Sequence, residues 1–262
     1  MFVARVATQD GKVVYGVVHG LDAQGIPTDE TVVDILTSHP FGELESTGVE
    51  LPLGAVRVLA PVIPSKVVCV GKNYADHARE MGGSVPQEPI IFLKPNTAVV
   101  GPNDPISLPW QSERVDHEAE LAIVIGRIAR NVPRNQASAY ILGYTLANDV
   151  TARDLQQRDG QWTRAKGFDS FCPIGPWIVN DFTPEDQRIS CTVNGQVRQD
   201  STLSHMERDV HEIVEFVTSV MTLLPGDVIL TGTPAGIGPL VDGDSVTVSI
   251  PGLGALTNPV RG

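Results

Sequence analysis

The sequence predicts a β-rich α+β fold, and three observations support this class. Short apolar runs and alternating segments typical of β-strands occur along the whole chain, whereas only residues 205–221 carry a long helical period. The strands do not alternate with helices, as a doubly wound parallel sheet would require. Gly (25) and Pro (20) are numerous among the 262 residues, which is typical of a fold with many turns.

The start of the chain predicts a small N-terminal β lobe. Residues 2–7 and 13–18 are β-branched runs joined through an Asp-Gly dipeptide, which is a strong hairpin signal. A short helix is predicted over residues 29–37, because the valines, isoleucine and leucine there fit one helical face. Two prolines mark the junction that follows. We therefore predict a lobe at residues 1–60 and a larger, strand-rich body at residues 61–262.

The larger body is predicted to contain short strands and two helices. A short helix is expected at residues 74–81, and the long one lies at residues 205–221. Asn194-Gly195 indicates a hairpin, and Asp242-Gly243 indicates a turn. The predicted strands cover residues 66–70, 90–94, 118–125, 140–149, 228–230 and 245–250.

The chain is acidic, with a formal net charge of −12. Nucleic acids and anionic membrane surfaces are bound chiefly through surplus lysine and arginine, so we expect neither as a partner. No apolar stretch approaches the ~20 residues that a membrane helix needs. An acidic protein can still bind an anionic substrate if cations are concentrated at one site.

The cysteines give an indication of the cellular compartment. Cys69, Cys172 and Cys191 are far apart and have neither CxxC nor zinc-ligand spacing. We expect them to be free, buried, small apolar side chains, which is compatible with a reducing compartment. The N-terminus lacks the apolar run of a signal peptide, so a cytoplasmic location is expected.

Two glutamates share one face of the strand predicted at residues 118–125. Alternate residues from Ala119 to Ile125 form its apolar face, so Glu118 and Glu120 lie together on the opposite face, ~6–7 Å apart. Carboxylates this close raise each other's pKa unless a cation lies between them. Taken alone, the pair favours a solvated strand face over a metal site.

A third carboxylate, Asp149, ends the apolar strand predicted at residues 140–149. Strand ends are where sheets present functional groups, and an all-oxygen set with Glu118 and Glu120 suits Mg²⁺ or Mn²⁺ better than Zn²⁺. We therefore predict that these three carboxylates hold one divalent metal. Arg153 and Lys166, which follow in the sequence, supply the local cations that an anionic substrate requires.

His77 and Glu80 stand three residues apart and share one face of the short predicted helix. A carboxylate beside an imidazole orients the ring and raises its basicity, so such a pair can activate water. The same pair also fits an ordinary exposed salt bridge. HExxH, P-loop, GxGxxG and GxSxG motifs are absent, so a nucleotide cofactor is unsupported.

Five motifs, in order along the chain, resemble those of the fumarylacetoacetate hydrolase family. The likeness runs from about residue 55 to the C-terminus and is greatest to the short-chain branch. That branch includes acylpyruvases, oxaloacetate decarboxylases and 2-hydroxyhepta-2,4-diene-1,7-dioate isomerases. The motifs are VGKNYADH (70–77), HEAEL (117–121), NDVTARD (148–154), KGFD (166–169) and TGTP (231–234).

The resemblance implies a mixed β-sandwich roll, usually homodimeric, in which residues 61–262 form the catalytic domain. It places His77 and Glu80 on a mobile lid. One departure concerns Val70, because the longer fumarylacetoacetases carry a metal-binding Asp seven residues before the lid histidine. Fumarylacetoacetate itself is therefore not expected as the substrate. The implied site residues are Glu118, Glu120 and Asp149 for Mg²⁺ or Mn²⁺; His77, Glu80, Gln156 and Lys166 for catalysis; and Arg153, Gly232 and Thr233 for substrate binding.

The implied substrate is a small 2-oxo acid that chelates the metal through its carboxylate and 2-oxo oxygens. The metal stabilises the enolate formed when the C3–C4 bond breaks, and Lys166 shares the negative charge. If C4 is a carboxylate, CO₂ leaves. If C4 is a ketone, water activated by His77 and Glu80 attacks it. An isomerase would use the same groups to move a proton along a conjugated system.

Among these reactions we expect C–C bond cleavage, with oxaloacetate decarboxylation ahead of acylpyruvate hydrolysis. The preference rests on residues 161–167 and 221–227, which are most similar to the decarboxylases. Two alternatives stay open: a 2-hydroxyhepta-2,4-diene-1,7-dioate isomerase, and a non-catalytic ligand-binding protein with a vestigial metal site.

Overall fold

Strands dominate the computed structural model, which describes all 262 residues. The strands are β1 (Phe2–Ala7), β2 (Val13–Leu21), β3 (Pro27–Leu36), β4 (Ser46–Pro52), β5 (Arg57–Leu59), β6 (Val67–Gly71), β7 (Ile90–Lys94), β8 (Val99–Val100), β9 (Ile106–Ser107), β10 (Val115–His117), β11 (Ala119–Ile125), β12 (Ile141–Asn148), β13 (Thr151–Ala152), β14 (Cys172–Val179), β15 (Arg188–Val193), β16 (Gln196–Thr202), β17 (Val228–Leu230), β18 (Gly238–Pro239), β19 (Ser245–Ile250) and β20 (Gly254–Arg261). The helices are α1 (Ala75–Glu80), α2 (Arg153–Asp159), α3 (Thr163–Lys166) and α4 (Val210–Val220), with 3₁₀ turns at Leu53–Ala55, Asn96–Ala98, Arg134–Tyr140 and Leu203–His205. The predicted β-rich α+β class is confirmed.

The strands form three sheets. The largest has twelve strands along the path β4-β3-β2-β1-β14-β12-β11-β17-β6-β7, with β5 added against β1 and β8 against β14. A five-stranded sheet follows the order β16-β15-β19-β20-β9, and a three-stranded sheet the order β13-β10-β18. The N-terminal strands extend the largest sheet, because β1 pairs with β14.

The prediction of a helix at residues 29–37 is wrong. Residues 29–36 belong to strand β3, which lies between β2 and β4 in the largest sheet. Alternate residues Thr31, Val33 and Ile35 are buried, which is the period of two of a strand. Val33 pairs with Val18 of β2. Short apolar runs fit both periods, and here β-branched side chains and two neighbouring strands decide for the sheet.

The other predicted elements are present, some with shifted ends. The predicted helix at residues 205–221 begins only at Val210, because the Asp209 side chain accepts hydrogen bonds from the backbone N–H groups of His211 and Glu212 and so caps α4. The N-terminal hairpin and the hairpin through Asn194-Gly195 are confirmed. The cysteines are free and buried, as expected.

Strand β11 is buried on both faces and divides two clusters of apolar side chains. Alternate residues from Ala119 to Ile125 belong to the larger cluster, and Ala122 and Val124 belong to the smaller one. Glu120 therefore points to the side of the smaller cluster, because side chains two residues apart share a face.

Strands β6 and β17 are parallel neighbours, which decides where two loops meet. The chain leaves both strands at the same edge of the sheet, so the loop after β6 comes to lie beside the loop after β17. Asn73 joins them, since its Nδ2 donates to the carbonyl of Thr231 at 2.8 Å.

The sequence predicts no membrane-spanning helix. None of the helices combines the length and the apolar character needed to cross a bilayer. The cytoplasmic location and the homodimer stay predictions from the sequence.

Asp227 fixes the beginning of the same strand pair. Its buried carboxylate accepts hydrogen bonds from the backbone N–H groups of Ser65, Lys66 and Leu224, from the Ser65 hydroxyl and from Lys66 Nζ. Burial by itself raises the pKa of Asp227, but the hydrogen bonds from Lys66 and Ser65 outweigh burial and lower it.

We expect Asp227→Asn to reduce the free energy of unfolding at neutral pH by about 2–3 kcal/mol, because an amide cannot accept all of these donors. A carboxyl whose pKa is lower in the folded state stabilises the fold above its unfolded pKa of about 3.9, and this stabilisation is lost as the pH falls. Urea unfolding at neutral pH and below about pH 4 measures the difference between wild type and variant. A difference that is equal at both pH values would contradict this role.

Candidate metal centre and active-site cavity

The three predicted metal ligands lie together in the interior. Glu118, Glu120 and Asp149 are buried, and one carboxylate oxygen from each lies within 4.8 Å of the others. Glu118 and Glu120 share a face at the start of β11. Asp149 arrives from β12, the paired strand, and its backbone N–H donates to the Glu118 carbonyl at 2.8 Å.

Three cations neutralise two of these carboxylates. Lys166 Nζ bridges Glu118 Oε2 at 2.8 Å and Asp149 Oδ2 at 2.6 Å. Lys94 Nζ donates to Asp149 Oδ1, and Arg153 donates to Glu118 Oε1. Burial raises the pKa of Glu118, but the charges of Lys166 and Arg153 outweigh it and hold that pKa below its ordinary value.

Glu120 has no cationic partner. Its Oε2 accepts a hydrogen bond from the backbone N–H of Gly232 at 2.6 Å, and no ion pair reaches it. Burial, followed by repulsion from Asp149 and Glu118, raises the pKa of Glu120 well above its ordinary value. Glu120 is therefore the one carboxylate of the three that forms no ion pair.

These residues fit a divalent metal. The donors are all oxygen, which suits Mg²⁺ or Mn²⁺. Each bonded carboxylate oxygen of Glu118 and Asp149 keeps a second lone pair that a metal can use. A divalent ion would supply the cationic partner that Glu120 lacks.

Arg153 begins α2 and directs its guanidinium at the carboxylates. Its Nε donates to Asp116 Oδ2 at 2.9 Å, one terminal nitrogen donates to Glu118, and the other donates to Gln156 Oε1 at 2.6 Å. Arg153 and Gln156 both line the cavity. The arrangement makes Arg153 a residue that orients Glu118.

His77 lies in α1 and is buried, while Glu80 is partly exposed. His77 Nδ1 lies 3.2 Å from Glu80 Oε2. The other oxygen, Glu80 Oε1, accepts a hydrogen bond from the backbone N–H of Gly236 at 3.1 Å. His77 Nε2 makes no hydrogen bond within the protein. Because His77 also lines the cavity, the pair has the geometry of an oriented base, not that of an exposed salt bridge.

The turn after β17 contributes differently at each residue. The backbone of Gly232 holds Glu120, whereas Thr233 lines the cavity. The Thr233 hydroxyl donates to the Ala119 carbonyl at 2.9 Å and accepts from Gln199 Nε2 at 2.7 Å.

Sequence reasoning missed Lys94, Asp116 and Gln199. Lys94 ends β7 and is 1% exposed, and Asp116 holds Arg153. Gln199 is fully buried and uses both ends of its amide: Oε1 accepts from Ala119 N and meets His117 Nδ1, and Nε2 donates to Thr233 and to the Pro234 carbonyl. A lysine closing an apolar strand is a signal that could have been noticed, but Gln199 has none.

One cavity of about 160 Å³ joins these groups. A cavity of this volume holds several water molecules and so has room for a small organic acid. Its lining residues are Val70, Gly71, Lys72, His77, Met81, Phe92, Glu118, Glu120, Asp149, Arg153, Gln156, Gln157, Trp162, Lys166 and Thr233.

Comparisons with known proteins agree with this architecture. The family model described as fumarylacetoacetate (FAA) hydrolase C-terminal matches residues 66–261, and one described as Rv2993c-like, N-terminal matches residues 1–61. The mitochondrial oxaloacetate tautomerase Fahd2a of Rattus norvegicus is 44% identical over 80% of this chain and 71% of its own.

Two solved structures extend the comparison. The 2-hydroxyhepta-2,4-diene-1,7-dioate isomerase from Mycobacterium marinum is 53% identical, with a TM-score of 0.91, over 100% of this chain and 98% of that chain. The fumarylpyruvate hydrolase from Pseudomonas aeruginosa, in complex with Mn²⁺ and pyruvate, is 36% identical, with a TM-score of 0.72, over 78% of this chain and 91% of that chain.

The chain belongs to the fumarylacetoacetate hydrolase family, as its motifs indicated. The three relatives described above are named as a tautomerase, an isomerase and a hydrolase, so the family includes enzymes of three reaction types.

Metal binding should be measurable without any substrate. We expect Mn²⁺ at a hundredfold excess over its Kd to stabilise the wild type by ~2.7 kcal/mol, which raises its thermal midpoint by about 5–10 °C. Glu120→Gln should lose most of this rise. Without metal the variant should be at least as stable as the wild type, because it no longer buries an unpaired carboxylate. The exposed Glu185→Gln is the matched control, and an undiminished Mn²⁺ effect in Glu120→Gln would exclude Glu120 as a ligand.

The predicted lid runs from Gly71 to about Pro89, and its last part follows α1. Residues 82–89 have no regular secondary structure and are mostly exposed, which is typical of low local stability. We expect their amide hydrogens to exchange more slowly when Mn²⁺ and oxalate, a non-reactive mimic of a 2-oxo acid, are bound. Helix α4 provides the internal reference, and unchanged exchange at residues 82–89 would argue against a lid.

Proposed function

We propose that this protein is a Mg²⁺- or Mn²⁺-dependent enzyme that cleaves the C3–C4 bond of small 2-oxo dicarboxylic or acylpyruvate substrates. Oxaloacetate decarboxylation is the first candidate and acylpyruvate hydrolysis the second. One observation carries the proposal: three buried carboxylates, Lys166 and the imidazole of His77, which Glu80 orients, line one small cavity.

Bound at Glu118, Glu120 and Asp149, the metal would supply a Lewis acid that polarises the 2-oxo group of the substrate. Lys166 is fixed at the same place, with its ammonium 2.8 Å from Glu118 and 2.6 Å from Asp149. A fixed cation that is buried stabilises negative charge as it develops, and Lys166 is buried. Lys166 therefore stabilises the enolate that either cleavage reaction produces.

His77 supplies the proton chemistry. Glu80 holds Nδ1, which leaves Nε2 without a protein partner and able to take a proton from water. Hydrolysis requires that water to attack a C4 ketone. Decarboxylation requires no base to break the bond, because CO₂ leaves with the bonding electrons staying on C3. In that reaction His77 can only return a proton to the enolate product.

Keto–enol tautomerisation or isomerisation is the second candidate function. It is favoured by the names of two relatives, an oxaloacetate tautomerase and a 2-hydroxyhepta-2,4-diene-1,7-dioate isomerase. The same imidazole would move a proton to or from C3 with no bond to C4 broken. The homodimer and the cytoplasmic location, drawn from the sequence, complete the proposal.

Proton NMR of oxaloacetate with the Mn²⁺-loaded protein, quenched and freed of metal before acquisition, distinguishes these functions. Decarboxylation produces pyruvate, whereas tautomerisation in D₂O exchanges the C3 hydrogens without producing it. Acetylpyruvate tests hydrolysis in parallel. EDTA should abolish each activity, and a protein that changes none of these substrates would be a ligand-binding protein with a vestigial site.

The two cleavage reactions should respond differently to single substitutions. Lys166→Ala should lower both by ~10²–10³, because both develop an enolate whose charge Lys166 shares. His77→Ala should lower acetylpyruvate hydrolysis by about 10²–10⁴, as is usual for loss of a general base, and oxaloacetate decarboxylation by less.

Steady-state rates on both substrates at saturating Mn²⁺ test this division. Bound Mn²⁺ must be quantified in each variant, so that a lost ion is not mistaken for lost chemistry. Equal losses of both activities in His77→Ala would show that His77 serves a step common to both reactions.

A further inference from the structure

Lys72 differs from the other lysine and arginine side chains of the cavity. Arg153 and Lys166 also line it, but both are paired with buried carboxylates. Lys72 donates no hydrogen bond, and no carboxylate oxygen lies within 4.0 Å of its Nζ. Its positive charge is therefore free to bind an anion that enters the cavity.

The backbone of Lys72 is held in an unfavourable conformation. Its φ is +58°, in the left-handed region, where a β-carbon crowds the following carbonyl and glycine is the relaxed choice. The neighbouring Asn73 keeps the loop in place, since its side chain bonds the carbonyls of Arg208 and Thr231 and the N–H of Arg208. Strain of this kind is typical of positions where the side chain has a use.

Lys72 lines the cavity and makes no contact with the three carboxylates of the candidate metal centre. Nζ lies 3.2 Å from the position that a β-carbon on Gly83 would take, beside the segment that follows α1. The adjoining wall is aromatic: the Trp162 ring packs on Gly71 and meets the ring of Phe92 edge-on, with centroids 5.1 Å apart. A substrate group that reaches Lys72 therefore meets one unpaired cation beside apolar surface.

We propose that Lys72 binds the distal carboxylate of the substrate and so selects dicarboxylic 2-oxo acids over monocarboxylic ones. The inference rests on the proposed function, in which the metal centre takes the 2-oxo acid end of the molecule. The second carboxylate then needs a cation of its own, and Arg153 and Lys166 are already engaged. An ammonium and a carboxylate form a charge-assisted hydrogen bond, the stronger kind.

A matched pair of non-reactive ligands isolates this contact. Malate and 2-hydroxybutyrate differ only in the distal group, which is a carboxylate in malate and a methyl in 2-hydroxybutyrate. Titration calorimetry on the Mn²⁺-loaded protein should show malate bound about 10–100-fold more tightly, the range of a hydrogen bond to a charged group. Lys72→Gln should remove most of this preference and Lys72→Arg should keep it. Lys12→Gln, a distant and exposed charge change, should leave it unaltered.

Turnover gives a second readout. In Lys72→Gln the ratio of kcat/KM for oxaloacetate to kcat/KM for acetylpyruvate, a monocarboxylate, should fall about tenfold or more, mainly through KM. Lys72→Gly separates charge from structure, because it also removes the cation but relieves the left-handed strain. It should lose the malate preference with a thermal midpoint no lower than that of the wild type.

The possible failures are distinguishable. A malate preference that survives in Lys72→Gln, or a wild type without one, overturns the role of Lys72 whatever the enzyme does. A wild type that converts neither substrate but shows a Lys72-dependent malate preference refutes the proposed reaction and supports the binding role. Equal losses of kcat/KM for both substrates would also overturn the selectivity.

Discussion

The repulsion among three buried carboxylates is the constraint on which the centre of this structure depends. At the 4.8 Å within which Glu118, Glu120 and Asp149 approach one another, each pair of unit charges repels by roughly 3–4 kcal/mol at an effective dielectric of 20. Three such pairs would cost about as much as the whole stability of a typical domain. Lys94, Lys166 and Arg153 offset this cost, but none of them forms an ion pair with Glu120, which is the arrangement expected of a site that takes a further cation.

Two features of the topology hold these charges in register. The antiparallel pairing of β11 with β12 sets Asp149 beside Glu118, and the parallel pairing of β6 with β17 brings the Lys72 and Gly232 loops to one edge. Gln199 of β16 connects the five-stranded sheet to the largest sheet, because its side chain forms hydrogen bonds with Ala119 and Thr233. The candidate metal centre thus lies on paired strands, whereas Lys72 lies on the loop after β6 and His77 on the short helix that follows it.

The separation of the carboxylate centre from His77 and Lys72 explains how one family can include a tautomerase, an isomerase and a hydrolase. All three chemistries can proceed from an enolate, which in the proposed function a metal held by the three carboxylates would stabilise together with Lys166. The outcome then depends on what lies at the far end of the substrate and on which proton His77 moves. Selectivity is therefore to be sought in the cavity walls, at residues such as Lys72 and Trp162, more than at the metal ligands.

The sequence alone determined what depends on near neighbours. The alternation through β11 placed Glu118 and Glu120 on one face, the Asn-Gly pair indicated its hairpin, and the ordered motifs indicated the family. The sequence failed where the local pattern is ambiguous. The apolar run of Val32, Val33, Ile35 and Leu36 predicted a helix, but pairing with β2 makes the segment a strand.

Tertiary structure decided which groups meet and which are buried. Lys94 is 55 residues from Asp149, and Gln199 is 80 residues from Ala119, so no local period connects them. The same holds for charge: Lys72, Arg153 and Lys166 are alike as cations in the sequence, and only packing shows that two are engaged by carboxylates and one is free. Side-chain periodicity extends over a few residues, whereas burial and pairing depend on the register of strands brought together from distant parts of the chain.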